Sequence, residues 1–455
     1  MATAPGRVVV AVTETDKSPA LAALMGAALA LPGMTADAAT GSYRGEEPLL
    51  NYHHAEYDEQ GNRMSVTTDH LALTFPIFRD FEGHLTAIKD VTSGASPVVN
   101  FLDIDGNPHQ FVETGASIKD TRNIYEGVLG YYGDSGYGSV KLGRSREDDY
   151  ESDYGSVSYR WDLNQKRTSL SFGAGLTSDE VWNSYNPDVL LEEPSVYKHR
   201  RKKEFMLGIG QIVNRNTVAQ FNITYARSDG SLSDPYKKVY VVDEGITDFR
   251  GLIDVAGVFQ FFVDYGLVEA LNRSGITRLL NESPLIDVLG LAEDILGLKK
   301  DNRPDEREQW IVLIRTSHYF KYTNSGLHLD YRYADDSWGA DSHTLEVKWN
   351  VGLGLGWQVS PGLRYYSQHS ADFYNTFFES VPEDGFMTAD YRLAGFGAVS
   401  AKLGIAKEIN QDYTLYLDYE RYERKYDYEL GGGSTGSDID DYDFKMLSLS
   451  IDVKL

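Results

Sequence analysis

Few residue types in this chain could do covalent chemistry. There is no cysteine. That excludes a disulfide, an iron–sulfur cluster, a thiolate zinc site, a cysteine nucleophile and a lipid-modified N-terminal cysteine. The 10 histidines are scattered. Only His53 and His54 are adjacent, and neighbours on a strand point to opposite faces, so they make a poor metal pair. No H-E-x-x-H, G-x-S-x-G or G-x-x-x-x-G-K-[ST] pattern occurs. The stretch Gly352-Leu-Gly-Leu-Gly356 lacks the strand–helix context of a nucleotide loop and reads as a turn between strands. No catalytic, cofactor-binding or metal-binding residue is therefore assigned, and the chain reads as something other than an enzyme.

Two acidic clusters raise a calcium hypothesis: Glu147-Asp-Asp-Tyr-Glu-Ser-Asp153 and Asp438-Ile-Asp-Asp-Tyr-Asp443. Hard cations want several converging carboxylates. Neither cluster has EF-hand spacing or a nonapeptide repeat, so solvated loop tips are the favoured reading and Ca2+ the alternative.

The better clue is a set of charged residues that recur at every second position. Lys141, Arg160, Asp330, Arg332, Glu346, Lys348, Arg392, Lys402, Asp418 and Glu420 lie in segments of alternating polarity. They line the interior if the apolar positions between them meet lipid. Such residues either line a water-filled channel or knit a lumen by ion pairs. The signs are mixed, so no ion preference follows.

Strands must position these residues. Leu71, Leu73, Phe75 and Ile77 alternate with polar or small residues, as do Leu170, Phe172, Ala174 and Leu176, and Leu345, Val347, Trp349 and Val351. A half-buried strand does this because its side chains point to opposite faces in turn. Tyr at 31 and Gly at 43 against Pro at 14 suit a strand-rich chain, since proline cannot donate to a sheet ladder.

Short and long connections alternate. Tight turns fall near Arg79-Asp80, Asn164-Gln165, Asn214-Arg215-Asn216, Gly354-Leu355-Gly356 and Asn410-Gln411. Longer segments lie at 93–117, 179–202, 229–308, 372–387 and 429–440. Sorting of this kind marks an outer-membrane barrel, with short periplasmic turns and long outer loops. The count comes to about 16 strands, an even number as such barrels require. The fold class is thus all-β, a transmembrane antiparallel up-and-down barrel. Within the 229–308 loop, residues 248–300 are apolar and spaced as helix, with Leu285, Ile286, Leu289, Ala292, Ile295 and Leu296 on one face. That helical insert reads as a plug, a cap, a docking surface or a self-packed pair.

The N-terminus carries the apolar run Pro19–Met34 followed by Ala36-Asp37-Ala38, a signal-peptide pattern over residues 1–38 that leaves 39–455 as the barrel. The alternative is a hydrophobic helix packed on a core. At the other end, Leu447, Leu449, Ile451, Val453 and Leu455 share one face. They fit a closing strand that barrel-assembly machinery reads, except that such signals usually end in an aromatic residue. The net charge of −25 argues against a nucleic-acid partner.

Several stretches together carry a family resemblance: Ser93-Gly-Ala-Ser-Pro97, Ser233-Asp-Pro-Tyr-Lys237, Arg303-Pro-Asp-Glu-Arg307, Tyr333–Leu345 and Pro361–His369. In these the chain resembles a Gram-negative outer-membrane family of unknown function, DUF3570. The resemblance implies an exported barrel and supplies no reaction and no catalytic residues.

The expected function is a channel or transport component of the bacterial outer membrane with a charged lumen partly plugged by the insert. It would contact outer-membrane lipid and an unknown solute. The alternatives are a non-conducting scaffold that docks partner proteins and, more remotely, an outer-membrane enzyme with a Ser or Asp paired to His at the rim. A secreted soluble β-protein is the fallback.

Overall fold

The computed structural model describes residues 47–62, 64–94, 96–102, 108–113, 119–182, 197–234, 237–242, 297–432 and 441–455. The signal-peptide reading of residues 1–38 lies outside them. So does the helical reading of the insert over 248–296.

The strands in chain order are β1 (Leu49–Glu59), β2 (Met64–Phe78), β3 (Phe81–Gly94), β4 (Ser96–Leu102) and β5 (Pro108–Glu113). Then come β6 (Lys119–Gly133), β7 (Gly136–Arg146), β8 (Tyr150–Leu163), β9 (Thr168–Val181) and β10 (Lys198–Asn214). The next are β11 (Thr217–Gly230), β12 (Lys238–Tyr240), β13 (Leu298–Lys300), β14 (Glu306–Phe320) and β15 (Ser325–Asp336). The last are β16 (Asp341–Gly354), β17 (Trp357–Gln368), β18 (Phe396–Glu408), β19 (Tyr413–Lys425) and β20 (Tyr442–Lys454). All but β4, β5, β12 and β13 form one closed 16-stranded barrel in sequential order. The four others form two small hairpin-like sheets, β4–β5 and β12–β13.

Closure is made by β1 and β20, which pair antiparallel from Leu49↔Lys454 to Glu59↔Phe444. Every barrel strand thus has two neighbours and no sheet edge is left unpaired. A closed barrel is one of two structures that satisfy all backbone hydrogen bonds inside a bilayer.

Turns sort by end. Residues 79–80, 134–135, 215–216 and 355–356 connect strands at the same end as Leu49 and Lys454. One of these turns calls for glycine: Gly354, Leu355 and Gly356 have φ of 85°, 50° and 76°, a region that residues with a Cβ rarely enter. At the other end the long connections are 182–197, 231–305, 369–395 and 426–441, whereas 60–63, 147–149 and 337–340 are short. The expected loop over 179–202 is shorter than its sequence suggested, because β9 runs to Val181 and β10 starts at Lys198. The expected loop over 93–117 holds the β4–β5 hairpin.

The two wall faces are chemically opposite. Leu71, Leu85, Leu142, Leu207, Phe221, Leu363 and Leu449 are exposed on the outside. Water would not tolerate an apolar surface of that extent, and lipid would. Trp161, Trp349 and Trp357 stand on this face near the short turns, and Trp310 near the long ones, its ring 4.9 Å from that of Tyr225. These are interfacial aromatic belts.

Candidate functional site

Nine of the ten charged residues expected in the lumen lie on barrel strands, on the face opposite the exposed apolar residues. Lys141 pairs with Glu126 at 2.6 Å, Arg160 with Asp162 at 3.0 Å and Asp330 with Arg315 at 2.6 Å. Lys402 reaches Glu420 at 3.6 Å and Glu346 at 4.0 Å. Lys348, Arg332 and Asp418 share the same face, one position away from Trp349, Tyr331 and Leu417. Arg392 is the exception and corrects the sequence reading. It lies in a 3-10 turn, Tyr391–Leu393, inside the 369–395 connection. The residues around it, Thr388-Ala-Asp-Tyr-Arg-Leu, alternate briefly in a way that mimics a strand.

That connection folds inward. Tyr391 lies under the Arg424 guanidinium, 4.9 Å from its ring centre, and Arg424 also sits 4.8 Å from the ring of Tyr442. Arg424 on β19 and Tyr442 on β20 both belong to the inward face, because Leu417, Tyr419, Leu447 and Leu449 face out. Gln368 at the end of β17 donates to the carbonyls of Arg392 and Ala394 at 2.9 and 2.6 Å. Two apolar clusters fill the cap: Leu232, Trp338, Tyr374, Tyr391, Leu393 and Phe396 in one, and Val239, Val241 and Met387 in the other. A short sheet ties the pieces. β12 pairs with β13 from Lys238↔Lys300 to Tyr240↔Leu298, and bridges join Val241 to Phe378 and Asn302 to Met387. Residues 298–300 of the expected helical insert are therefore strand.

Buried charge locks this cap. Arg303 pairs with Asp301 at 2.7 Å and with Asp390 at 2.6 Å. Arg392 pairs with both Asp390 and Asp234. Asp301 also accepts from the Thr388 hydroxyl and from the Asp234 amide. Burial works to raise the carboxyl pKa of Asp390, yet Arg392, Arg303 and Lys237 together hold it far below the usual range. Asp234 is likewise lowered, its burial outweighed by Arg392, Lys237 and Arg303. Asp301 goes the other way: burial raises it, against the pull of Arg303.

Four of the five segments that carried the family resemblance meet here. Asp234 and Lys237 come from Ser233–Lys237, Arg303 and Arg307 from Arg303–Arg307. Asp336 of Tyr333–Leu345 accepts from Arg307 Nε at 2.7 Å, and the Arg307 guanidinium covers the Trp338 ring at 4.4 Å. Pro361–His369 supplies Gln368 and His369. His369 Nδ1 pairs with Asp341 at 2.6 Å. This is an Asp–His pair at the rim, but its Nε2 faces the Glu429 carboxylate at 3.6 Å rather than a hydroxyl. The arrangement pins one connection to another.

Sequence reasoning missed an inward patch on β10. Arg200 meets Asp179 at 2.6 Å, and Lys202 meets Glu204 at 2.5 Å. The stretch Lys198-His-Arg-Arg-Lys-Lys-Glu204 is polar throughout, so it reads as loop. The signal that could have found it is the register beyond it, where Phe205, Leu207 and Ile209 face out and fix even positions inward.

Part of one of the two acidic clusters, in the turn between β7 and β8, meets a carboxylate at the start of β6. Asp120, Glu147 and Asp149 bring ligand atoms within 4.8 Å of one another. Burial first, then Asp120 and Asp149, push the Glu147 carboxyl up to about 8 despite Arg122 nearby. Part of the other cluster, residues 438–440, lies outside the described residues.

A closed barrel with a lipid-facing apolar wall, aromatic belts and a charged interior is a bacterial outer-membrane β-barrel protein. Within that class the chain belongs to the family described as "protein of unknown function (DUF3570)", whose model matches residues 21–444. No curated protein matches it in sequence. Among solved structures it is similar to a bacterial polysaccharide outer membrane secretin, at 7% identity and a TM-score of 0.45, over 90% of this chain and 98% of that one. CdiB from Acinetobacter baumannii matches at 8% identity and a TM-score of 0.44, over 90% of this chain and 60% of that one. The siderophore receptor PirA from Acinetobacter baumannii matches at 10% identity and a TM-score of 0.39, over 84% of this chain and 53% of the receptor. The chain thus spans little more than half the length of the latter two.

Proposed function

We propose that this protein is an outer-membrane channel or transport component whose charged lumen is narrowed at the long-loop mouth by a folded-in cap. The observation that carries the reading is the inward fold of 369–395, with Tyr391 seated against the lumen-facing Arg424. A loop that merely decorated the outside would not reach that face. The charged lumen supports passage of polar solute, and the reading assigns the protein no catalytic step. By the usual sorting of barrel connections the cap faces outward and the termini face the periplasm. Assembly machinery is the partner this reading implies for the terminal strand.

Purified protein in planar bilayers should conduct. Deleting residues 250–299 should raise the conductance, since it also removes Leu298 and Lys299 of β13, which pair with β12 in the cap. No conductance in either form would sink the channel reading and leave the docking scaffold, for which crosslinking at 248–300 in intact membranes is the measurement.

A further inference from the structure

Three cations on adjacent strands of the inward wall stand apart from the paired charges around them. They are Arg332 on β15, Lys348 on β16 and Arg364 on β17. The barrel register places them in steps. Arg332 is level with Thr344 and Tyr366, Arg364 with Glu346 and Asp330, and Lys348 with His328 and Gly362. Descending from the capped mouth toward the short turns, the order is Arg332, Arg364, Lys348. Each level is two residues below the last on the same face.

Among the described residues, none of the three has a carboxylate within ion-pair distance. Asp418 and Glu346 act on Lys348 only from beyond ion-pair distance, and the other nearby carboxylates are committed elsewhere. Asp330 is held by Arg315 at 2.6 Å, Glu204 by Lys202 at 2.5 Å and Asp336 by Arg307 at 2.7 Å. Glu346, on the level of Arg364, reaches toward Lys402 at 4.0 Å. The Arg364 Nε is buried and has no hydrogen-bond partner. A buried guanidinium nitrogen without an acceptor is costly, and a guanidinium without a carboxylate is matched in shape and charge to an oxyanion. The chain carries a net charge of −25, so a run of uncompensated cations on its inner wall runs against the average of the whole molecule.

We propose that Arg332, Arg364 and Lys348 form a ladder of binding steps for small oxyanions, of the phosphate or carboxylate type, along one side of the lumen. The two guanidiniums offer paired N–H donors to two oxygens of the same anion. Lys348 offers a point charge one level further in, so an anion released by Arg364 meets the next site rather than a carboxylate wall. Stepwise sites of moderate strength are what conduction requires. The inference rests on the channel reading for its transport consequence, whereas the binding itself does not.

Two measurements separate those parts. In detergent, inorganic phosphate should raise the unfolding temperature of the full-length protein and chloride at equal ionic strength should not; succinate in place of phosphate tells carboxylate from phosphate preference. The Arg332→Gln/Arg364→Gln variant should lose the phosphate effect, and Arg160→Gln, whose partner Asp162 lies off the ladder, should keep it. In bilayers under a KCl gradient the wild type should favour anions. The Arg332→Gln/Arg364→Gln/Lys348→Gln variant should lower the anion-to-cation permeability ratio by at least about fivefold, the scale for a single unit charge a few ångströms from one ion in water. Gel mobility before and after boiling reports whether each variant has folded. Should the variants fail to fold, the wild type alone still decides: no phosphate effect, or a cation-selective wild type, overturns the ladder. Phosphate binding without conductance would overturn the channel and keep the site.

Discussion

Arg303 and Asp390 stand 87 positions apart, yet Arg303 Nη2 donates to Asp390 Oδ2 at 2.6 Å in a fully buried setting. They join the 231–305 and 369–395 connections. Around them Asp234, Asp301 and Arg392 complete a network in which each charge has an opposite partner. Buried ion pairs contribute little net stability compared with apolar packing, but breaking one leaves an uncompensated charge. The network therefore makes the cap's closed geometry specific, and the apolar clusters around Trp338 and Val239 hold it.

Replacing Asp390 by alanine removes the acceptor shared by Arg303 and Arg392. The loss should cost the cap roughly 3–5 kcal/mol, the range for one partner of a buried pair. The barrel wall does not depend on Asp390 and should remain intact. Single-channel conductance should rise, and limited proteolysis should cut within 369–395. A variant with wild-type conductance and resistance to cleavage would mean that the cap is held by packing alone.

Acid should loosen the same cap. Asp234 and Asp390 have carboxyl pKa values below the ordinary 3.8. Their contribution is present above that value and is lost as pH falls through the lowered folded values. Asp301 has a raised value, so its ionisation costs stability as pH rises past 3.8. Conductance should therefore increase as pH drops below about 4, where the carboxylates of an opened cap take up protons that the closed, ion-paired cap does not. Asp301→Asn should make the cap firmer at neutral pH. A flat conductance profile down to about pH 3 would count against an electrostatic lock.

Glu147 supplies a second pH dependence of known sign. Its carboxyl is pushed from the ordinary 4.5 up to about 8. The folded state thus holds this proton more tightly than the unfolded chain. The associated stability is full below pH 4.5 and declines as pH rises toward 8. Hydrogen exchange at the start of β8 should quicken over that window, and Glu147→Gln should flatten the response. Exchange that slows as pH rises, after correction for intrinsic rates, would put the proton on the wrong side.

The barrel was legible in the sequence because period two persists over strands such as β9 and β16, and because turns and loops sort by end. The closing strand was legible for the same reason. The cap was not. Asp234, Asp301 and Asp390 lie in segments without periodicity, and their pairing depends on connections folding back over long chain separations. Arg392 reads as strand because Thr388–Leu393 alternate like a strand fragment although they end in a 3-10 turn. Lys202 and Glu204 were hidden in a wholly polar stretch, where alternation leaves no trace in composition.

The last strand gives the sharpest test of the barrel itself. β20 pairs with β19 from Arg424↔Tyr442 to Tyr413↔Val453 and with β1 along its whole length. Leu447 and Leu449 face lipid, whereas Ser448 and Ser450 are buried on the inner face, with Ser450 bonded to His53 at 2.7 Å. Removing Ser448–Leu455 takes from Leu49–Ala55 of β1 its β20 neighbour and opens two edges inside the bilayer. Assembly should fail, and the boiling-dependent shift in gel mobility should vanish. Leu449→Arg should cost roughly 2–4 kcal/mol, the penalty for a basic residue on a lipid face near the midplane. Ser448→Ala, which faces the other way, should leave urea unfolding almost unchanged. If Leu449→Arg is as mild as Ser448→Ala, the face assignment of the closing strand is wrong, and the lumen assignments that follow from the same alternation fall with it.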